Sequence, residues 1–345
     1  MRILLPTAAL LALAASPVYP QASANLAAGK TQPSPLAPSE IVAQAPKADW
    51  TAIAASDLLV MDLAPDAKGK PRRVVIQLMP PPFSQGWIGN IRKLTVARFW
   101  DGTAVNRVQD NYVVQWGDPD AEDKVKAKKL PEGLAVMPES EYETSLEDPY
   151  KAKPKPVFAG ERGRGFDAYS RTNYLYRGWP VAMDYIQYVP IKDATTGRPI
   201  PAPTTRAAWP VHCYGMVGVG RDLSPNTGNG AELYVVIGHA PRHLDRNIAL
   251  VGRVIEGIEH LSSLPRGHGA LGFYDLAQGD ERTGIRSIRL GTEVKDLPAY
   301  EYLSTESQSF AQYADARANR RDAFFIRPAG GADICNIPVP VRRVK

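Results

Sequence analysis

Two stretches of the sequence gather side chains that can act on a bound chain without a metal or a covalent step. The first runs from Phe99-Trp-Asp-Gly-Thr103 through Asn106-Arg107 to Tyr112-Val-Val-Gln-Trp-Gly-Asp-Pro119. The second runs from Tyr214-Gly-Met-Val-Gly-Val-Gly220 through Glu232-Leu-Tyr234 to His243-Leu-Asp245, and on through Val251-Gly-Arg-Val to Gly257. The motifs of covalent and phosphoryl chemistry are missing: there is no GxSxG, no HExxH, no SxxK with supporting motifs and no GxxxxGK[ST]. His239 and His243 stand four apart with Asp245 beyond, a spacing that binds metal on a helix, but Pro241 between them breaks the helix. Gly218-Val219-Gly220 lacks the rest of a dinucleotide fingerprint. The two cysteines, Cys213 and Cys335, form no CxxC pair. In an oxidising compartment such a pair joins, and a Cys213–Cys335 disulfide tying the tail to the main domain is expected.

In combination, Asp101-Gly-Thr103, Gln115-Trp-Gly-Asp-Pro119 and Leu244-Asp245 with Val251-Gly-Arg-Val and Gly257 resemble the cyclophilin family of peptidyl-prolyl cis–trans isomerases. That family runs roughly Y-D-G-T-x-F-H-R-V-I-x-x-F-M-I-Q-G-G-D-P, then G-x-x-x-M-A, S-Q-F-F-I and L-D-x-x-x-x-V-F-G-x-V-x-x-G. The resemblance covers about residues 56–120 and 208–292, on either side of a long insertion. It implies that Arg107 contacts the substrate prolyl bond, that Gln115 hydrogen-bonds the bound peptide and that Leu244 walls the proline pocket. Tyr112, Val113 and Tyr234 stand where the family has Phe, Met and Phe, which implies a more polar, reshaped pocket. Asn106 and Ile248 replace histidines, Glu232 replaces a glutamine, and His243 occupies a position where Trp, Phe or His varies. Trp116 replaces a glycine and is expected to bring a bulky ring near the site. The implied substrates are Pro-containing polypeptides, with no cofactor and no metal.

The chemistry fits those residue types. A peptide bond resists rotation by about 18–20 kcal/mol because of C–N resonance. At the twisted transition state the prolyl nitrogen regains its lone pair. A guanidinium donating to that nitrogen binds the twisted state better than either planar state, and only such differential binding accelerates a step. The substituted pocket predicts a reduced rate, with a raised KM. A carboxylate at position 232 adds a negative charge near Arg107; if the two pair, the guanidinium is partly occupied and kcat falls as well. Two rivals use the same chain differently: a non-catalytic module holding Pro-containing segments, or an envelope scaffold acting through its insertion and tail.

The elements that must carry these residues read mainly as strands. Leu58–Leu63 and Arg73–Leu78 are β-like runs, followed by strands near 113–115, 215–220, 233–237, 249–254 and 285–290. Ser84 to Ala97 reads as a helix N-capped by Ser84, and Ile255 to Leu264 as a short one. Thr305 with Gln308 opens a further amphipathic helix running to about Phe324. The expected fold is mainly β: a closed antiparallel barrel of the cyclophilin type capped by two helices, within about residues 54–295. An insertion at about 121–207 and a C-terminal helical extension over 296–345 complete it.

Composition sets the remaining bounds. Of 345 residues, 44% are hydrophobic and 22% charged, an ordinary globular mix. The 28 Gly and 31 Pro stay below low-complexity levels. A net charge of +5 is mild, and no nucleic-acid partner is expected. Tyr169, Tyr174, Tyr176, Trp179, Tyr185 and Tyr188 crowd the insertion with basic residues between them, and are expected to pack onto the domain. Lys151–Pro156 reads as an extended Lys/Pro segment. Arg2, the apolar stretch Ile3 to Ala15 and Ala22-Ser-Ala24 make a three-part export signal over residues 1–24. Residues 25–53 read as a flexible leader. The mature chain is expected in the periplasm, with no integral membrane segment after cleavage.

Overall fold

Strands dominate because β-branched and aromatic residues recur with a period of two between turn-forming Gly, Pro and Asp. The computed structural model describes residues 35–146 and 167–344, with backbone alone at 185–189, 191 and 201–206. The expected export signal, the start of the leader and the Lys/Pro segment lie outside the described residues.

In chain order the strands are β1 Trp50–Ile53, β2 Leu58–Leu63, β3 Arg72–Leu78, β4 Ala104–Val108, β5 Val113–Gly117, β6 Thr144–Ser145, β7 Thr172–Tyr176, β8 Trp179–Lys192, β9 Pro199–Pro210, β10 Met216–Val219, β11 Leu233–Val236, β12 Leu250–Glu256, β13 Ile285–Leu290, β14 Tyr300–Leu303 and β15 Val341–Arg343. The helices are α1 Pro38–Gln44, α2 Gln85–Val96, α3 Glu259–Ser262 and α4 Gln308–Ala318.

Eight strands form an antiparallel sheet in the order β13-β2-β3-β12-β10-β11-β5-β4. Its edges nearly meet: Gly102 N–H donates to Ile285 O (3.0 Å), and Ile285 N–H to Thr103 O (2.7 Å). Alternation sorts the side chains between the two faces of this barrel. Val105, Val108, Val114, Trp116, Val217, Leu233 and Val235 join the main core. Val113, Tyr234 and Val236 form a separate cluster, with Tyr112 and Ile248 packed against it. α2 buries Trp87, Ile88, Ile91 and Leu94, and the Trp87 indole donates to Thr227 O and Gly228 O.

Several sequence expectations are corrected here. The stretch up to residue 53 is not all flexible leader: α1 forms, and β1 pairs with β14, with Trp50 and Ile53 buried. Ser84 does precede α2, but it sits in a left-handed conformation (φ 55°) and its side chain makes no cap bond. The helix expected over 255–264 shrinks to α3 because β12 extends through Glu256. α4 is capped by Ser307, whose side chain accepts from Phe310 N–H, and ends at Ala318. The tail beyond the barrel is not purely helical, since β14 and β15 join β1 in a three-stranded sheet.

The insertion contributes a third sheet, in the order β6-β9-β8-β7. Tyr174 and Trp179 are buried in the main core, whereas Tyr169 is exposed. Arg253 of β12 pins this sheet to the barrel. Its guanidinium donates to Gln77 Oε1 (3.0 Å) and Gly178 O (2.7 Å) and lies 4.5 Å from the centroid of the Trp179 ring. Cys213 and Cys335 are joined in a disulfide with Cα atoms 5.1 Å apart.

Candidate active site

Register alone assembles the centre of the site. Arg107 of β4 faces Gln115 of β5, Gln115 faces Tyr234 of β11, and Tyr234 faces Gly218 of β10. Four residues from two separate stretches of the sequence thus form one row across the barrel. A bulge between Val105 and Arg107 re-aims the β4 side chains at this point. The β4–β5 hairpin turns at Asn111 (φ 51°), a residue type that tolerates the left-handed region.

The Arg107 guanidinium is braced on several sides. Its Nε–H donates to Leu271 O (2.7 Å), Nη1 to Gln115 Oε1 (3.1 Å) and Nη2 to Gln109 Oε1. It lies over the rings of Tyr112 (5.6 Å to centroid) and Phe273 (5.3 Å). Three of its five N–H groups are engaged by these oxygens, which leaves two to donate elsewhere. Burial pulls the guanidinium below its ordinary pKa, and the neighbouring Tyr112 and Glu232 oppose that shift.

Glu232 does not pair with Arg107 directly. Gln115 stands between them, its carbonyl accepting from Arg107 and its amide donating to Glu232 Oε1 (2.7 Å). The two neighbours fix the amide orientation, because a guanidinium offers only hydrogens and a carboxylate only lone pairs. Burial raises the Glu232 pKa, against the lowering effects of the Gln115 bond and the Arg107 charge.

The other expected residues fall around this row. Tyr112 and Val113 belong to the Tyr234 cluster. His243 stacks on Tyr112 (6.4 Å between centroids, 13° between planes). Leu244 follows His243 on a half-buried 3₁₀ turn, Arg242–Leu244. Ile248 packs against the Tyr234 cluster. Trp116 corrects its expectation: one position along β5 from Gln115, it points to the opposite face and is fully buried in the barrel core. Asn106 is buried and donates to Gly117 O (3.3 Å).

Tyr234 makes the face less polar than its hydroxyl suggests. That hydroxyl lies 2.8 Å from His212 Nε2, inside the protein, so the residue's remaining surface is that of an aromatic ring. His212, Phe273 and the Leu271 carbonyl escaped the sequence reading. Phe273 and Leu271 sit in a Gly-rich loop whose backbone, at Tyr274 N–H, bonds Asn106 O (2.9 Å). Gly267-His-Gly-Ala-Leu-Gly272 was the available signal for a shaped loop, but it did not say what the loop faces.

Comparison with known proteins bears on the fold and the family. The family model described as cyclophilin type peptidyl-prolyl cis-trans isomerase matches residues 87–272, more than half of the chain and a span that holds every residue of the row. Among solved structures, the cyclophilin AquaCyp293 from Hirschia baltica is similar at a TM-score of 0.60 and 19% identity, over 86% of this chain and 94% of that one. A cyclophilin type peptidyl-prolyl cis-trans isomerase of Cryptosporidium parvum aligns at a TM-score of 0.36 and 12% identity, over 68% and 96%. No curated protein matches. The matched span, together with the barrel, establishes that the chain belongs to the cyclophilin-type peptidyl-prolyl cis-trans isomerase family and is a prolyl isomerase.

Proposed function

We propose that the chain isomerises X-Pro bonds in exported polypeptides, with Arg107 as the catalytic group. The observation that carries this reading is the braced guanidinium with two N–H groups left, at the end of a row that continues into the aromatic cluster of Tyr234. The prolyl ring lies on Tyr234, Val113, Tyr112 and Leu244 while the acyl side turns. Arg107 donates to the prolyl nitrogen as that atom loses resonance. Gln115 offers its remaining lone pair and N–H to the peptide backbone, and His243 closes the edge beside Leu244. A braced donor needs little reorganisation when the bond twists, which is where such groups act most strongly.

NMR exchange or a protease-coupled assay on a Pro-containing tetrapeptide tests this reading. Turnover is expected, below that of a cyclophilin carrying the Phe/Met/Gln/Phe set and chiefly through a higher KM. Arg107→Ala is expected to lower kcat by about two to three orders of magnitude, the range for removing a transition-state donor. Arg107→Lys keeps the charge but loses the fork, and rescues only part. Undiminished turnover in Arg107→Ala would remove the mechanism.

The compartment rests on separate support. Residues 1–24 have the form of an export signal, and a Cys213–Cys335 disulfide belongs to an oxidising environment. Cell fractionation with mass measurement of the mature N-terminus is expected to find the periplasmic chain starting after Ala24. A cytosolic product retaining residues 1–24 would count against export.

A further inference from the structure

Behind Tyr234 runs a chain of buried polar groups that the isomerisation step does not use. Tyr234 Oη lies 2.8 Å from His212 Nε2, and His212 Nδ1 lies 2.9 Å from Asp245 Oδ1. Asp245 Oδ2 accepts from Arg242 Nε (2.6 Å), and Arg242 Nη2 donates to Asp167 Oδ2 (2.8 Å). The side chains of His212, Asp245, Arg242 and Asp167 are 1, 4, 5 and 3% exposed. Asp167 belongs to the insertion, where it also accepts from Ser170 Oγ (2.6 Å), Asn173 Nδ2 (3.0 Å) and Tyr169 N–H (2.9 Å).

The direction of every proton in the chain follows. A carboxylate only accepts, so His212 Nδ1 carries the hydrogen and Nε2 presents its lone pair. The Tyr234 hydroxyl must then donate to Nε2. Burial holds the His212 imidazole neutral, and Arg242 and His243 oppose its charging while Asp245 favours it. The orientation is thereby single-valued. It fixes the Tyr234 ring flat over Gly218, where an added Cβ would lie 2.3 Å from the Tyr234 Oη and Cζ atoms.

A phenylalanine in this position would need no partner at all, and buried charges of this kind seldom add net stability over apolar side chains of similar size. The arrangement therefore points to a role in orientation. We propose that His212 is a positioning residue that fixes the Tyr234 ring of the proline-binding face, and that the insertion sets this position through Asp167, Arg242 and Asp245. The proposal rests on the isomerase reading above. It makes the insertion, through Asp167, a brace that holds a pocket wall from behind.

Coupling between variants tests it, with turnover by NMR exchange and peptide affinity by calorimetry measured on the full chain. Tyr234→Phe, which keeps the ring and removes the hydroxyl, is expected to raise KM and Kd by about 3- to 10-fold, the worth of one hydrogen bond, and to lower kcat less. His212→Gln and Asp167→Asn are expected to do the same with Tyr234 present. Neither is expected to weaken binding further in the Tyr234→Phe background, because the link they act through is gone. A purely structural role would lower the melting temperature with equal effects in both backgrounds, and that result overturns the proposal. So does wild-type KM and Kd in Tyr234→Phe, a variant with little reason to misfold. If the wild type binds the peptide but does not turn it over, the isomerase reading fails. The same coupling, read in Kd, still decides the role of His212.

Discussion

Glu232 is the residue where the site departs most in charge from an apolar, neutral peptide groove. Its carboxyl is largely withdrawn from water and bonded by the Gln115 amide, and burial raises its pKa. An acid raised in the folded state keeps its proton to a higher pH than in the unfolded chain. The folded state then binds more protons above the unfolded value, so stability falls as pH rises through the folded value. Glu232→Gln keeps an acceptor for Gln115 and removes the buried charge. The variant is expected to melt above the wild type at pH 7–8, with the difference shrinking as pH falls toward 4. Parallel melting-temperature profiles for the two proteins would contradict this account. Activity is expected to hold or rise, since Gln115 continues to brace Arg107. Arg107, Gln115 and Glu232 were legible in the sequence through the resemblance to the cyclophilin motifs, taken position by position. The relay from Arg107 through Gln115 to Glu232 was not, because it is a matter of side-chain geometry. His212 carried no motif, and its partners Tyr234 and Asp245 lie 22 and 33 residues away.

At the level of elements, the outer face of β4, β5, β10 and β11 is a set of complementary surfaces. Gly218 on β10 is what lets the Tyr234 ring lie down on the sheet. Gly218→Ala places a methyl where the ring and its hydroxyl now sit, and the ring cannot swing freely while it is bonded to His212. The variant is expected to lose about 1–3 kcal/mol of stability by overpacking. Its KM is expected to rise as Tyr234 is pushed off the sheet. Urea denaturation and peptide kinetics measure both, and a variant unchanged in both would show that the ring has room. The strands themselves were readable from alternation, as in β5, where Val113 and Gln115 face out while Val114 and Trp116 face the core. The short helices were not. Ile255, Ile258 and Leu261 have helical spacing, but Ile255 packs with the Val75–Tyr300 cluster as the end of β12, and Leu261 packs in the main core from α3. A three-residue apolar repeat of this length fits a strand end followed by one helical turn equally well.

For the molecule as a whole, the two ends of the described chain meet in one sheet that packs against the barrel, with Ile53 and Tyr300 clustered on Leu58 and Val75. β1 and the C-terminal β15 flank β14, and α1 contacts α4. Composition hid this: the Ala/Pro/Ser-rich leader has no period, yet Pro38, Ala45, Trp50 and Ile53 are all buried. The disulfide ties the tail down covalently. Cys335 lies on the 3₁₀ turn Ile334–Asn336, and Cys213 directly follows His212, so the bond anchors the tail beside the groups that hold Tyr234. It closes a sequence separation of 122 residues, a long loop whose restriction in the unfolded chain is worth on the order of 2–5 kcal/mol. Reduction, or the double substitution Cys213→Ser with Cys335→Ser, is expected to lower the melting temperature by roughly 5–10 °C. Because the anchor adjoins His212, KM is expected to rise as well, while Arg107, braced on β4 and the 267–273 loop, keeps kcat nearly unchanged. Equal melting temperatures for oxidised and reduced protein would show that the sheet of β1, β14 and β15 holds the tail without the bond. A fall in kcat without a change in KM would place the effect of the disulfide at Arg107 and away from Tyr234.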